Sequence, residues 1–175
     1  MQNLIEKLNK TMRDVVDFPS KGIIFKDITP ILADINLYNE IIDILASQYK
    51  NKNISKVVGL ESRGFIFGIS IAQKLNLPFI PIRKKGKLPY KTISTSYALE
   101  YGTASIEIHT DAINEGENIL IVDDLLATGG TASAAVELIK QLKGNVTACV
   151  FLTELLFLNG KSKLKDIEVF SILKY

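Results

Sequence analysis

A chain of 175 residues has the length of one domain with a sizeable core. Hydrophobic residues make up 47% and charged residues 23%, and 21 basic against 19 acidic side chains leave a net charge of +2, so no overall charge favours nucleic acid or an anionic membrane. The single cysteine, Cys149, rules out an intramolecular disulfide, and with one histidine, His109, the usual ligand set of a zinc site is missing.

The N-terminal "MQNLIEKLNK" reads as the start of an amphipathic helix, with no apolar core or small-residue cleavage site of a leader. "DFPSKGIIFKDITP" reads as irregular, punctuated by Pro19, Gly22 and Pro30. Asn36 is expected to cap a helix reaching about Lys50, with Leu37, Ile41, Ile44 and Leu45 on its apolar side and Gln48 out of pattern. "ISKVVGL" is a buried strand, "RGFIFGISIAQKLN" a helix stopped by Pro78, and "PFIPIR" a strand. "KKGKLPYKT" is a basic, mobile loop, and "ISTSYALEYGTASIEIHT" a hairpin turning at Glu100-Tyr101-Gly102. "NILIVDD" is a strand covered on both faces, followed by a helix from Gly130 with Ala132, Ala135, Val136, Ile139 and Leu142 in period, ended by Gly144. "VTACVFLT" and "IEVFSIL" supply the last strands, with Cys149 as a buried structural thiol.

Strands alternating with helices predict an α/β fold: an open, mostly parallel twisted sheet flanked by helices, one domain over residues 1–175. The N-terminal segment and the hairpin belong at its edges. The apolar runs fall short of the roughly 20 residues a membrane helix needs, so a cytoplasmic protein is expected.

Ligands of such sheets bind beyond the carboxyl ends of strands, where "ILIVDDLLATGGT" places Asp123 and Asp124. Ala127, Thr128, Gly129, Gly130 and Thr131 then lead into a helix. Free amides and the helix dipole at such a start favour an anion such as phosphate. There is no lysine of a Walker loop and no GxGxxG. A phosphate in the loop and sugar hydroxyls on the two carboxylates fit a ribose 5-phosphate.

The stretch resembles the 5-phosphoribosyl-1-pyrophosphate (PRPP) binding motif of type I phosphoribosyltransferases. "DFPSKGIIFKDITP", "GLESRGFIFG", "IPIRKKGKLP" and "YALEYGTASIEIH" resemble, in order and spacing, the signature blocks of the adenine branch of that family, over essentially the whole chain. The resemblance implies transfer of the phosphoribosyl group to N9 of adenine, giving AMP and pyrophosphate. It implies an N-terminal hood segment and an edge hairpin carrying the mobile loop. Asp123, Asp124 and Glu100 are the implied catalytic groups, with Arg63, Arg83, Lys84 and Lys87 on the pyrophosphate. Ile24, Phe25, Lys26, Leu126 and Tyr101 are implied around the adenine. Lys26 stands where many relatives carry Arg, and Lys21 where some carry Pro. A cis peptide is implied at Glu61-Ser62. Mg²⁺ is expected to arrive on the pyrophosphate and meet Asp123 and Asp124 through water rather than directly. A homodimer is implied, with neither nucleic acid nor membrane as a partner. Two other readings are a transferase for 6-oxopurines, disfavoured because no lysine follows Thr153 until Lys161, and a PRPP-sensing regulator, which the chain has no spare domain to serve.

Overall fold

The computed structural model describes residues 1–98 and 102–175. They fall into two compact units, Met1–Leu45 and Ala46–Tyr175.

In the smaller unit, helix α1 (Gln2–Thr11) buries Leu4 and Leu8. Strands β1 (Arg13–Val16) and β2 (Ile24–Asp27) then pair antiparallel, with Val15 opposite Phe25 and Asp14 opposite Lys26. This corrects the irregular reading of "DFPSKGIIFKDITP". Its Pro19 and Gly22 lie in the turn and leave the ladder intact, and both strands are too exposed to show the alternation that marks a half-buried sheet. A short helix, α2 (Thr29–Leu32), carries Pro30 in its first turn, where a missing N–H costs nothing. Helix α3 (Ile35–Ser47) is capped by Asp34, not Asn36: the Asp34 carboxylate accepts from the amides of Asn36 at 3.0 Å and Leu37 at 3.1 Å. Starting at Ile35 puts Asn36 inside the first turn.

The larger unit is built on a seven-stranded sheet. Its strands are β3 (Lys56–Leu60), β4 (Phe79–Lys84), β5 (Thr92–Ala98), β6 (Thr103–His109), β7 (Asn118–Leu126), β8 (Asn145–Glu154) and β9 (Glu168–Lys174), in the spatial order β5-β6-β4-β3-β7-β8-β9. From β4 to β9 all neighbours are parallel, while β6 runs antiparallel to both β4 and β5. Helix α4 (Arg63–Leu75) joins β3 to β4, and α5 (Gly130–Gln141) joins β7 to β8. On one face Val58, Leu60, Ile119, Ile121, Cys149 and Phe151 pack with Ala132, Ala135 and Ile139 of α5. On the other, α4 lies so close to β3 that a side chain at Gly68 would sit 3.4 Å from the Cα of Gly59. This double cover explains the continuous apolar runs of the central strands.

Three boundaries differ from the sequence reading. Strand β7 does not stop at the aspartates but pairs on to Leu126, opposite Glu154 of β8. The left-handed residue that ends α4 is Asn76 (φ 56°), two residues before Pro78, and the one after α5 is Lys143 (φ 62°) rather than Gly144. Two 3₁₀ turns, Leu156–Leu158 and Gly160–Lys163, were not foreseen, since elements this short have no period to read. No helix among the described residues is long and apolar enough to cross a membrane.

Candidate active site

The chain leaves β3 towards β4 on one side of the sheet, and leaves β7 towards β8 on the other. The carboxyl ends of adjacent strands β3 and β7 therefore open a crevice, the switch point where α/β sheets bind ligands. Each delivers one loop there: Glu61-Ser62-Arg63 from β3, with its Glu61–Ser62 peptide cis as expected, and residues 127–131 from β7.

The second loop lines a cavity of about 70 Å³ together with Asp123, Leu125, Leu126 and Ala132. That is several times the roughly 10–15 Å³ one water needs. Gly129 caps α5 with φ 74° and ψ 3°, left-handed geometry that suits glycine. It also has no room for a side chain, because a Cβ would run into the backbone carbonyl of Gly160. Gly160 is pressed in return against the carbonyl of Ala127 and the amide of Gly129. The 3₁₀ segment after β8 is thus the outer wall of this loop, strapped to it by the Leu155 amide donating to the Leu126 carbonyl at 2.9 Å. The first amides of α5 have no acceptor within the helix and so suit an anion. The Thr131 hydroxyl is held by Tyr97 at 3.1 Å.

Asp124 is buried, and its carboxylate pairs with the Arg63 guanidinium at 3.0 Å. Burial raises the pKa of this carboxyl above the ordinary range, and the Arg63 charge opposes the rise. Asp123 is pushed up further, first by desolvation and then by the neighbouring Asp124. Its Oδ1 accepts from the Asp124 amide at 2.9 Å and faces the start of α4, where a Cβ at Gly64 would lie 2.8 Å from it. Of the two, Asp124 is the better supported in its charged form.

The basic run divides into two kinds of residue. Arg83 is a brace: its Nε and Nη2 donate to Glu61 at 3.2 and 3.4 Å, and its Nη1 donates to the Lys87 carbonyl at 3.1 Å. Glu61 also accepts from the Lys84 amide at 2.9 Å. Lys84 and Lys87 are exposed. Burial works against the charge on Glu61, but the Lys84 amide and the Arg83 guanidinium outweigh it and hold the carboxyl below its ordinary value. A lowered folded pKa stabilises above the unfolded value and is lost as pH falls through the folded one. Acidification below about pH 4 is therefore expected to release the Lys84 amide to hydrogen exchange before β3 and β7 lose protection. Concurrent loss of all three would show that Glu61 does not anchor this segment separately.

In the smaller unit, Ile24 is exposed and Phe25 meets Phe18 edge-on at 5.2 Å between centroids. Lys26 is engaged by Asp14 at 2.7 and 2.9 Å. Glu100 and Tyr101 lie outside the described residues. Leu126, expected against a base, is 1% exposed and packs in the hydrophobic core, while also contributing to the cavity wall. Its partly exposed neighbour Leu125 lines the cavity as well. Glu61, Glu107 and Gly160 escaped the sequence reading. A glutamate in an alternating strand or a glycine after an apolar run carries no local signal of a distant partner. Among the described residues no group of three or more His, Cys, Asp or Glu is placed to hold a metal ion.

An open, mostly parallel sheet whose switch point joins an acidic strand end to a glycine loop is the architecture of a phosphoribosyltransferase, and residues 27–173 match the family described as phosphoribosyl transferase domain, to which the chain belongs. Within it the chain is a member of the adenine phosphoribosyltransferase branch. The adenine phosphoribosyltransferase of Geobacter metallireducens is 53% identical over 171 residues, 98% of this chain and 100% of that protein. The crystal structure of adenine phosphoribosyltransferase from Thermoanaerobacter pseudethanolicus superposes with a TM-score of 0.95 at 47% identity, covering 98% of this chain and 99% of that one. The Saccharomyces cerevisiae enzyme, complexed with D-2,5-dideoxy-2,5-imino-altritol 1,6-bisphosphate and adenine, gives 0.92 at 41% identity, covering 98% and 99%.

Proposed function

We propose that the chain transfers the 5-phosphoribosyl group of PRPP to N9 of adenine, releasing AMP and pyrophosphate. The observation that carries this reading is the continuity of β7, the Arg63-paired Asp124 and the glycine loop at the start of α5. Membership of the adenine branch supplies the base.

In this reading the loop 127–131 receives the 5-phosphate, and Asp123 and Asp124 receive the ribose hydroxyls. Departure of pyrophosphate leaves positive charge on the sugar, as in glycoside chemistry, and a nearby carboxylate stabilises it. Arg63, Lys84 and Lys87 attract the leaving group, and Arg83 serves it by holding the loop. Ile24, Phe25 and Lys26 receive the adenine, with Tyr101 beside it and Glu100 handling its proton. Of the two leucines, Leu125 rather than Leu126 has a side chain available to a base.

Mg²⁺ bound to pyrophosphate would neutralise its charge. Asp123 and Asp124 offer the hard oxygens this ion prefers, and Asp124 is already paired, which suits contact through water. A homodimer in the cytoplasm, with neither nucleic acid nor membrane as partner, completes the proposal. Light scattering of the purified protein tests the dimer.

Pyrophosphate release with PRPP and Mg²⁺ tests the reaction, comparing adenine with hypoxanthine. A preference for hypoxanthine would assign the chain to 6-oxopurines, and PRPP binding without release would make it a sensor. Lys87→Ala should raise KM for PRPP by about three- to tenfold, the range expected for an exposed charged contact, and leave AMP affinity within about twofold. Equal losses for both ligands would place the pyrophosphate elsewhere.

A further inference from the structure

The connection from β4 to β5 has an unusual task. These strands are not neighbours, because β6 lies between them, so residues 85–91 must cross β6 to reach Thr92. Seven residues make the crossing and carry most of the basic run with them. A loop of this kind has only what the crossed strand offers to fix its shape. On β6, Glu107 pairs with Arg83 on one side and Ser94 on the other, directly beneath the crossing.

Glu107 is 4% exposed. A carboxylate in such a place is costly unless its oxygens are filled. They are filled by the loop: Oε1 accepts from the amides of Lys87 and Leu88, each at 2.9 Å, and Oε2 from the Thr92 hydroxyl at 3.2 Å. All three donors belong to the crossing or its landing residue. An uncharged side chain would not fill this role equally. Glutamine has one accepting oxygen, and its NH₂ would face donors.

We infer that Glu107 is a positioning residue for the pyrophosphate end of the site, its buried charge setting the backbone from which Lys87 reaches the ligand. The inference rests on the proposed transferase reading for its ligand, but not for the anchor itself. Glu107 touches no substrate. It acts through the loop, and its loss should be felt where the loop is used and nowhere else.

The test pairs hydrogen exchange with kinetics on the full chain. In Glu107→Gln the Lys87 and Leu88 amides should exchange about tenfold faster, as a charge-assisted bond gives way to a neutral one, while amides of β3 and β7 keep their protection. KM for PRPP, and for pyrophosphate in the reverse reaction, should rise about five- to tenfold, with kcat within about threefold and AMP affinity within about twofold. Thr92→Val, which removes one donor and leaves the carboxylate, should move the same quantities in the same direction by less, and it decides the matter if Glu107→Gln does not fold. Unchanged exchange at Lys87 and Leu88 would overturn the anchor. Faster exchange with unchanged PRPP and pyrophosphate KM would overturn the positioning role. An equal loss of AMP affinity would reduce Glu107 to a general structural residue. If wild-type protein released no pyrophosphate with adenine, the transferase reading would fail while the exchange experiment still reported on the anchor.

Discussion

Asp124→Asn is expected to lower kcat by about 10²–10³, the usual consequence of removing one well-placed electrostatic contact to a developing charge. Asparagine keeps the size and part of the hydrogen bonding, so circular dichroism should be unchanged. The contrast with Asp123 is informative. Arg63 sits 3.0 Å from Asp124 and favours its ionised form, whereas Asp123 is pushed further up by burial and by its neighbour. The pair resists double ionisation, so charge removed from Asp124 should matter more than charge removed from Asp123. The pKa directions fix the stability effect too. An acid raised in the folded state costs stability as pH rises from its unfolded value through its folded one. Asp123→Asn should therefore stabilise the protein at pH above the unfolded value, read as a gain in Tm that grows as pH rises from there. If both variants kept near-normal kcat at saturating PRPP, the carboxylates would bind the sugar without stabilising its charge.

Gly129→Val is expected to weaken PRPP and AMP together, because the two share the 5-phosphate. A branched residue at φ 74° is strained, and its Cβ would meet the Gly160 carbonyl, so the loop must open or shift. Each hydrogen bond to a charged phosphate is worth about 1.5–3 kcal/mol, so losing even one costs roughly 10–10²-fold in affinity for both ligands. Titration with AMP alone checks this without turnover. An unchanged AMP affinity would move the phosphate away from the loop.

The sheet was legible because its central strands announce themselves. "KVVGL" and "ILIV" are covered on both faces by α4 and α5, and their apolar runs record that cover. The turn after β7 was legible for a different reason: small residues between an apolar run and a helical period mark the passage from strand to helix. What stayed hidden depends on contacts between distant residues. The β1–β2 hairpin shows no alternation, because neither face is well buried. Asp34 outcompetes Asn36 as a cap, two residues earlier in register. That Leu126 is buried while Leu125 stays partly exposed goes with β7 pairing on to Leu126, an end the sequence alone placed too early. Arg83 was expected at the pyrophosphate, and its bonds to Glu61 and the Lys87 carbonyl join partners no spacing rule connects.

Cys149 gives the protein a built-in clock. Its thiol is fully buried on β8, between Ile121 of β7 and Val169 of β9, and burial pushes its pKa up to about 12. A thiol reagent needs both access and thiolate, so labelling waits for the middle of the sheet to open. With one cysteine in the chain, each modified molecule records one such opening. A ligand that binds only the closed form slows labelling by the factor 1 + [L]/Kd. Affinities for AMP, PRPP and pyrophosphate thus become measurable in variants whose chemistry is dead, on a scale set by a residue outside the active site.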